Sequence, residues 1–181
     1  QEGRPMEGVY VDRDENGVIN ADDKYFFHKP AADFTMGLNT TLTYKNWTLA
    51  ASGHGSLGNY IYNNVASDGE MLADLWTNSF TSNRLESALW SNFNQACYLS
   101  DYYIKDASFF KVDNVTLGYT FPSLFKSAKL DRALGLNIYA TVQNVATITN
   151  YEGLDPEVFS GIDNNLYPRP RTYILGVKFN F

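Results

Sequence analysis

The sequence predicts an all-β fold, the C-terminal strands of a large antiparallel transmembrane β-barrel with long extracellular loops. Three observations predict it. Five segments alternate apolar and polar residues with period two, the signature of a strand with two different faces. The long irregular connections all fall on one side of that alternation, and the shorter ones on the other. The last segment, "TYILGVKFNF", runs as an aromatic-rich strand to Phe181. A soluble β-sandwich also alternates, with one face in a core and one in water, so periodicity alone leaves both architectures open. Loop parity and the aromatic terminal strand favour the barrel.

The elements follow in order. Residues 1–32 carry no strand pattern and are expected to form an extracellular loop. "DFTMGLNTTLTY" places Phe34, Met36, Leu38, Thr40, Leu42 and Tyr44 on one face. Lys45-Asn46 makes a tight hairpin into "WTLAASGHGSLG", with Trp47, Leu49 and Ala51 on one face and Ser52 and His54 on the other. Residues 60–107 are expected to be a long extracellular loop with little structure of its own. "SFFKVDNVTLGYTF" sets Val115, Leu117, Tyr119 and Phe121 against Asn114, Thr116, Gly118 and Thr120. The connection "PSLFKSAKLDRALG" is long for a periplasmic turn and is expected to hold a helical turn. "LGLNIYATVQNVATI" sets Leu136, Ile138, Ala140 and Val142 against Asn137, Tyr139, Thr141 and Gln143. Residues 149–170 form the last long loop.

In the terminal strand Tyr173, Leu175, Val177, Phe179 and Phe181 share a face. This is the C-terminal signature that outer-membrane barrels present to the barrel-assembly machinery. Tyr173 and the two terminal Phe residues suit the aromatic girdles at the two lipid interfaces. Five strands are too few to close a transmembrane barrel, so the chain is expected to be part of a larger one. The start, "QEGRPMEGVY", lacks the basic and apolar regions of a signal peptide and reads as a cut.

Composition narrows the function classes. The 181 residues carry a formal net charge of -6, which argues against a nucleic-acid partner. Mean hydropathy is -0.31, and no run approaches the roughly 20 apolar residues of a membrane-spanning helix. A barrel remains open, because its strands carry little net hydropathy. The single cysteine, Cys97, excludes an internal disulfide and has no basic neighbour to activate it as a nucleophile.

Several blocks occur together, in order, that resemble one family. "YIKDASFFKVDNVTLGYTFP", "NIYATVQNVATITNYEGLDPEV" and "GIDNNLYPRPRTYILGVKFNF" resemble the closing blocks of SusC/RagA-type TonB-dependent outer-membrane transporters. "DRDENGVINADDK" and "GSLGNYIYNN" match two earlier landmarks. The departures are local: Val145-Ala146 stands where an aromatic or Leu-Phe pair is common, and "FHKPAADF" replaces a Gly/Pro turn. The resemblance implies a barrel of roughly 22 strands in the bacterial cell outer membrane, in contact with its lipid. It implies import of a large nutrient, an oligosaccharide or oligopeptide, with a SusD-like surface lipoprotein as partner. It also implies coupling to the TonB complex through an upstream part that this sequence does not contain. An accessory subunit of an outer-membrane assembly or secretion complex is a second reading, and a soluble calcium-dependent sugar-binding β-domain a third.

One constellation carries chemistry of its own. "DRDENGVINADD" fits the calcium-loop pattern, with Asp12, Asp14 and Asn16 at the first, third and fifth positions. Gly17 takes the sharp turn, Val18 offers its carbonyl, Asn20 acts through a water, and Asp23 stands at the twelfth position. Ca2+ takes six to eight oxygens, which alternate side chains can wrap around it. Asp23 is shorter than the usual Glu, so weak affinity and a structural role are expected. Asp, Asn and Gly also favour metal-free turns. Trp76, Trp90, Phe93, Tyr98, Tyr102 and Tyr103 lie among amides in the 60–107 loop, where they suit substrate stacking, a partner surface or self-packing. His54 reads as a lumen-facing polar residue. No catalytic residue is assigned: Asp155-Pro156-Glu157 reads as a turn, although glycosidases use paired carboxylates.

Overall fold

The structure is a computed structural model that describes residues 3–77, 80–81, 83–95, 100–126, 133–164 and 167–180. Tyr98, Cys97 and Phe181 lie outside the described residues. The chain divides into two compact units, one of residues 1–31, 59–107 and 151–166, the other of residues 32–58, 108–150 and 167–181.

The second unit is a five-stranded antiparallel sheet in the order β1-β2-β7-β8-β10. Its strands are β1 (Phe34–Tyr44), β2 (Trp47–Leu57), β7 (Phe109–Lys126), β8 (Ala133–Thr149) and β10 (Thr172–Asn180). Register makes each face continuous. Leu42, Leu49, Leu117, Ala140 and Leu175 form one row across all five strands. Tyr44, Trp47, Tyr119, Ile138 and Val177 form the row beside it. The opposite face carries rows such as Asn39, Ser52, Asn114, Gln143 and Thr172. Its side chains bond across strands: Asn114 Nδ2 donates to Ser52 Oγ at 2.6 Å, Thr116 and Thr141 hydroxyls meet at 2.7 Å, and Asn137 Nδ2 donates to Thr120 Oγ1 at 2.8 Å. A sheet that is apolar on one face and internally hydrogen-bonded on the other suits lipid on one side and water on the other.

The strands β7 and β8 run further than expected, and residues 127–132 of their connection lie outside the described residues. Strand pairing runs on through Phe125–Leu134 and Lys126–Ala133, so the two strands take up most of the segment expected to turn helically. Pairing also breaks at one level that the sequence pattern does not reveal. Ser52 and Gly53 are adjacent in β2, Asn114 and Val112 enclose Asp113 in β7, and Gln143 and Ala146 enclose Asn144-Val145 in β8. Each step adds a residue. Below this level Val115, Leu117, Tyr119 and Phe121 hold the apolar face, as expected. Beyond it Val112 and Phe110 do, opposite Gly53 and Gly55. A β-bulge is the device that allows such a change of phase.

The first unit contains β3 (Tyr60–Asn63), α1 (Asn64–Gly69), β4 (Trp76–Thr77), β5 (Phe80–Thr81), α2 (Ser87–Ser91), β6 (Ile104–Asp106) and β9 (Ile162–Asp163). β6, β3 and β9 form a small sheet. The long loops therefore carry structure of their own. The reason is two small cores. Ile61, Ala107 and Tyr151 make one, with Val158 against it; Ala66, Phe93 and Tyr103 make the other, with Tyr62 and Tyr102 against it.

One glycine explains itself through a ring. Tyr139 lies between Gly118 and Gly176 on the polar face, and its ring occupies the space where a Gly176 side chain would stand. Gly176→Val is expected to destabilise the sheet by about 1–3 kcal/mol through overpacking. The check is the thermal transition of the detergent-purified full-length protein, which should fall relative to the parent.

Candidate functional site

The loop at 12–23 is built by its own short side chains. Asp12 accepts from the Asn16 and Gly17 amides at 3.2 and 2.7 Å, and Asp14 from the Asn16 amide at 3.1 Å. Asn16 Oδ1 accepts from the Val18 amide at 2.8 Å. Gly17 has φ +84°, a conformation that side chains disfavour, so the turn needs glycine there. Asn20 then caps a 3-10 turn, Ala21–Asp23, and Asp23 answers by accepting from the Asn20 amide at 2.7 Å. Its other oxygen accepts from the Arg13 amide at 2.8 Å. These two bonds, Asn20 first, hold the Asp23 carboxyl below its ordinary 3.8.

This folding brings three of the sequence-predicted ligands together. The carboxylates of Asp12, Asp14 and Asp23 lie within 4.8 Å of one another. The donor set is all oxygen, which suits a hard divalent cation. Arg13, inside the loop, places its guanidinium over the Tyr25 ring, 3.6 Å from the centroid. Tyr25 in turn donates to Asp101 at 2.6 Å, and this bond raises the tyrosine's pKa. The loop also walls a cavity of about 710 Å³, with Ile19, Tyr25 and Phe27 on one part of its lining and Phe93, Asp101 and Tyr102 on another.

Of the six aromatic residues singled out in the long loop, the five that the structure describes divide. Phe93 and Tyr103 are buried in the second small core, and Tyr102 packs edge-on against both rings. Trp76 and Trp90 are exposed. Self-packing therefore accounts for Phe93 and Tyr103, while the two tryptophans face outward. In the departing "FHKPAADF" segment, His28 adopts φ +54° and stacks on Tyr60 at 3.7 Å, while the Lys29 carbonyl accepts from the Tyr60 amide.

A buried pair ties the last long loop. Tyr151 donates to Asp163 at 2.7 Å, and Asp163 is fully buried. Burial first, and the carboxylate second, push the Tyr151 phenol far above its ordinary value, so it stays protonated. Gly153 leaves room for this bond, because a side chain there would strike the Tyr151 ring. Asp155 accepts from the Glu157 amide at 2.9 Å, which makes Asp-Pro-Glu a turn, as expected.

With this geometry in view, the relatives are informative. No protein-family model matches the chain. The TonB-dependent receptor SusC of Bacteroides thetaiotaomicron is 43% identical over the whole chain, which covers 18% of that receptor. TonB-dependent receptor P3 of Formosa agariphila is 28% identical over 96% of the chain and 19% of its own length. Among solved structures, the RagAB peptide importer in its open-open state superposes with a TM-score of 0.71 at 22% identity, over 96% of this chain and 20% of that one. Its closed-closed state gives 0.68 at 21%. The chain is of the SusC/RagA type. It spans about a fifth of the length of these relatives.

The SusC-type sheet holds two further arrangements that sequence reasoning missed. His54 Nδ1 lies 2.8 Å from Asp113 Oδ2, the extra residue of the β7 bulge. Arg171, just before β10, directs its guanidinium to backbone: Nη2 donates to the Val145 carbonyl at 2.8 Å and Nε to the Asn144 carbonyl at 3.4 Å. The signal for this was Asn144, since Asn is the residue after Gly that best tolerates φ > 0, and here φ is +52°. Of the terminal signature, Tyr173, Leu175, Val177 and Phe179 all lie exposed on the apolar face.

Two outcomes test this account. Tyr151→Phe should cost about 1–3 kcal/mol by removing a buried donor to Asp163, read as faster proteolysis of the 151–164 segment. Asp23 has a lowered folded pKa, so its contribution is complete above 3.8 and disappears as pH falls through the lower folded value. Hydrogen-exchange protection of the Arg13 and Asn20 amides, taken relative to their intrinsic rates at each pH, should fall on acidification below that point and hold above it.

Proposed function

We propose that this chain supplies strands of the wall and outer loops of a SusC/RagA-type TonB-dependent transporter in the bacterial cell outer membrane. The whole transporter imports a large nutrient, an oligosaccharide or oligopeptide, together with a SusD-like surface lipoprotein. The observation that carries the reading is the largely apolar face that runs across the five-stranded sheet, joined to 43% identity with SusC along the whole chain. Leu42, Leu175, Val177 and Phe179 stand exposed on that face, and a face of this kind is stable against lipid. Trp47 and Tyr119 meet edge-on at 4.8 Å beside the hairpin, the placement of an interfacial aromatic girdle.

The mechanism is transport, not bond-making. Substrate is captured between the outer loops and the lipoprotein, and work delivered through TonB to the upstream part opens a path past the polar face of the sheet. The exposed Trp76 and Trp90 offer flat apolar surfaces to the substrate or to the lipoprotein. The chain's own contribution to opening is passive: a hydrogen-bonded wall that keeps its shape.

In this reading the 12–23 loop holds a structural calcium ion. Asp12, Asp14, Asn16 and Asp23 present side-chain oxygens, Val18 its carbonyl and Asn20 a bridging water. A bound dication would offset two of the three carboxylate charges and would stiffen the loop.

Whole cells test the import reading. Fluorescent oligosaccharides and fluorescent peptides, supplied separately, should include one class whose uptake needs both the intact gene and TonB. The reading fails if neither class enters in that way, or if the full-length protein is soluble without detergent. For the metal, added calcium should protect the 12–23 loop from protease with a midpoint in the range of about 0.1–1 mM, typical of extracellular modules. Asp14→Asn should abolish the protection, and protection unchanged in that variant would sink the calcium assignment.

A further inference from the structure

We propose that Arg171 and Asn144 form a register lock that sets where the terminal strand docks on its neighbour. The need for a lock follows from the alternation itself. A slip of β10 by one residue would turn Tyr173, Leu175, Val177 and Phe179 to the polar face, so the side-chain pattern forbids it. A slip by two residues keeps every side chain on its proper face. The pattern does not forbid that slip, and each such step moves the strand by about 6.6 Å.

The geometry supplies what the pattern lacks. β10 begins at Thr172, opposite Gln143, the last β8 residue before Asn144-Val145 enters. Above this point β8 continues to Thr149, but β10 does not accompany it. The carbonyls of Asn144 and Val145 receive the Arg171 guanidinium in place of a strand. In return Asn144 Nδ2 donates to the Pro170 carbonyl at 2.8 Å. Three hydrogen bonds thus join residues 170–171 to residues 144–145, immediately before the first paired residue. Asn144 sits at φ +52°, so its neighbours in the regular strand cannot substitute for it after a slip. A two-residue slip breaks all three bonds, and two of them involve a charged donor.

The lock is a property of the sheet. Its consequence, correct setting of the strand that carries the C-terminal signature, rests on the barrel reading above. The two are tested apart by reading register instead of uptake. Full-length protein carrying Cys97→Ser receives Ile138→Cys with Val177→Cys, the native partners, or Ile138→Cys with Leu175→Cys or Phe179→Cys, the partners after a two-residue slip. Membranes are oxidised with copper–phenanthroline, and linked peptides are quantified by mass spectrometry.

The parent should give the native link. Arg171→Ala should lower the ratio of native to slipped links by roughly tenfold, the size expected from losing charged hydrogen bonds. Arg171→Lys keeps the charge but not the two-carbonyl fork, and it decides the matter if Arg171→Ala does not assemble; it should lower the ratio in the same direction. An unchanged ratio in the assembling variants overturns the lock, and so does a parent without the native link. Failure of import with a normal ratio would count against the transport reading alone.

Discussion

The sheet depends on keeping its two faces in phase. Every strand alternates, and every neighbour must alternate with it, because a face of mixed character suits neither lipid nor water. Across β1, β2, β7, β8 and β10 the rows of apolar residues line up below the bulge level, with Thr40 the one polar residue among them. The polar rows do the same, and their Asn, Ser and Thr side chains bond to one another across strands. Small residues serve this order. The Tyr139 ring covers Gly176, and the Phe110 ring covers Gly53 and Gly55, so these three glycines are room for rings.

The bulges are where the order is adjusted. Each step from β2 to β7 to β8 adds one residue at the same level, which staggers the strands and bends them locally. Asp113 and Asn144 stand at that level, and each is engaged by a side chain: Asp113 by His54, Asn144 through Pro170 and Arg171. An irregular backbone leaves polar groups without ladder partners, and the Arg171 guanidinium supplies them for the Asn144 and Val145 carbonyls. The same logic governs the loop at 12–23, where Asp and Asn side chains take the amide hydrogens that no strand or helix receives.

The other unit is folded by means that a strand pattern does not describe. Its elements are short, and none has a long apolar stripe. Order comes from single buried contacts: Ile61 against Ala107 and Tyr151, Phe93 against Tyr103, the phenol of Tyr151 on Asp163. A loop of this kind is a small core with a large surface. That leaves Trp76 and Trp90 exposed while similar aromatics beside them are consumed in packing.

The sequence alone determined the class of fold, the position of all five sheet strands, and which residues face which way in most of them. It did so because a strand's side chains alternate whatever the strand pairs with, so the information is local. It also determined the 12–23 loop, since Asx turns form between residues a few positions apart. Strand pairing claims residues 122–126 and 133–135 of the connection after β7, because the propensities of a short segment yield to pairing. The phase change at Asp113, the Tyr151–Asp163 bond, the burial of Phe93 and Tyr103, and the grip of Arg171 on Asn144 and Val145 were decided by tertiary structure. Each joins groups that no local period relates, and only a complete register says which carbonyl lies within reach of which donor.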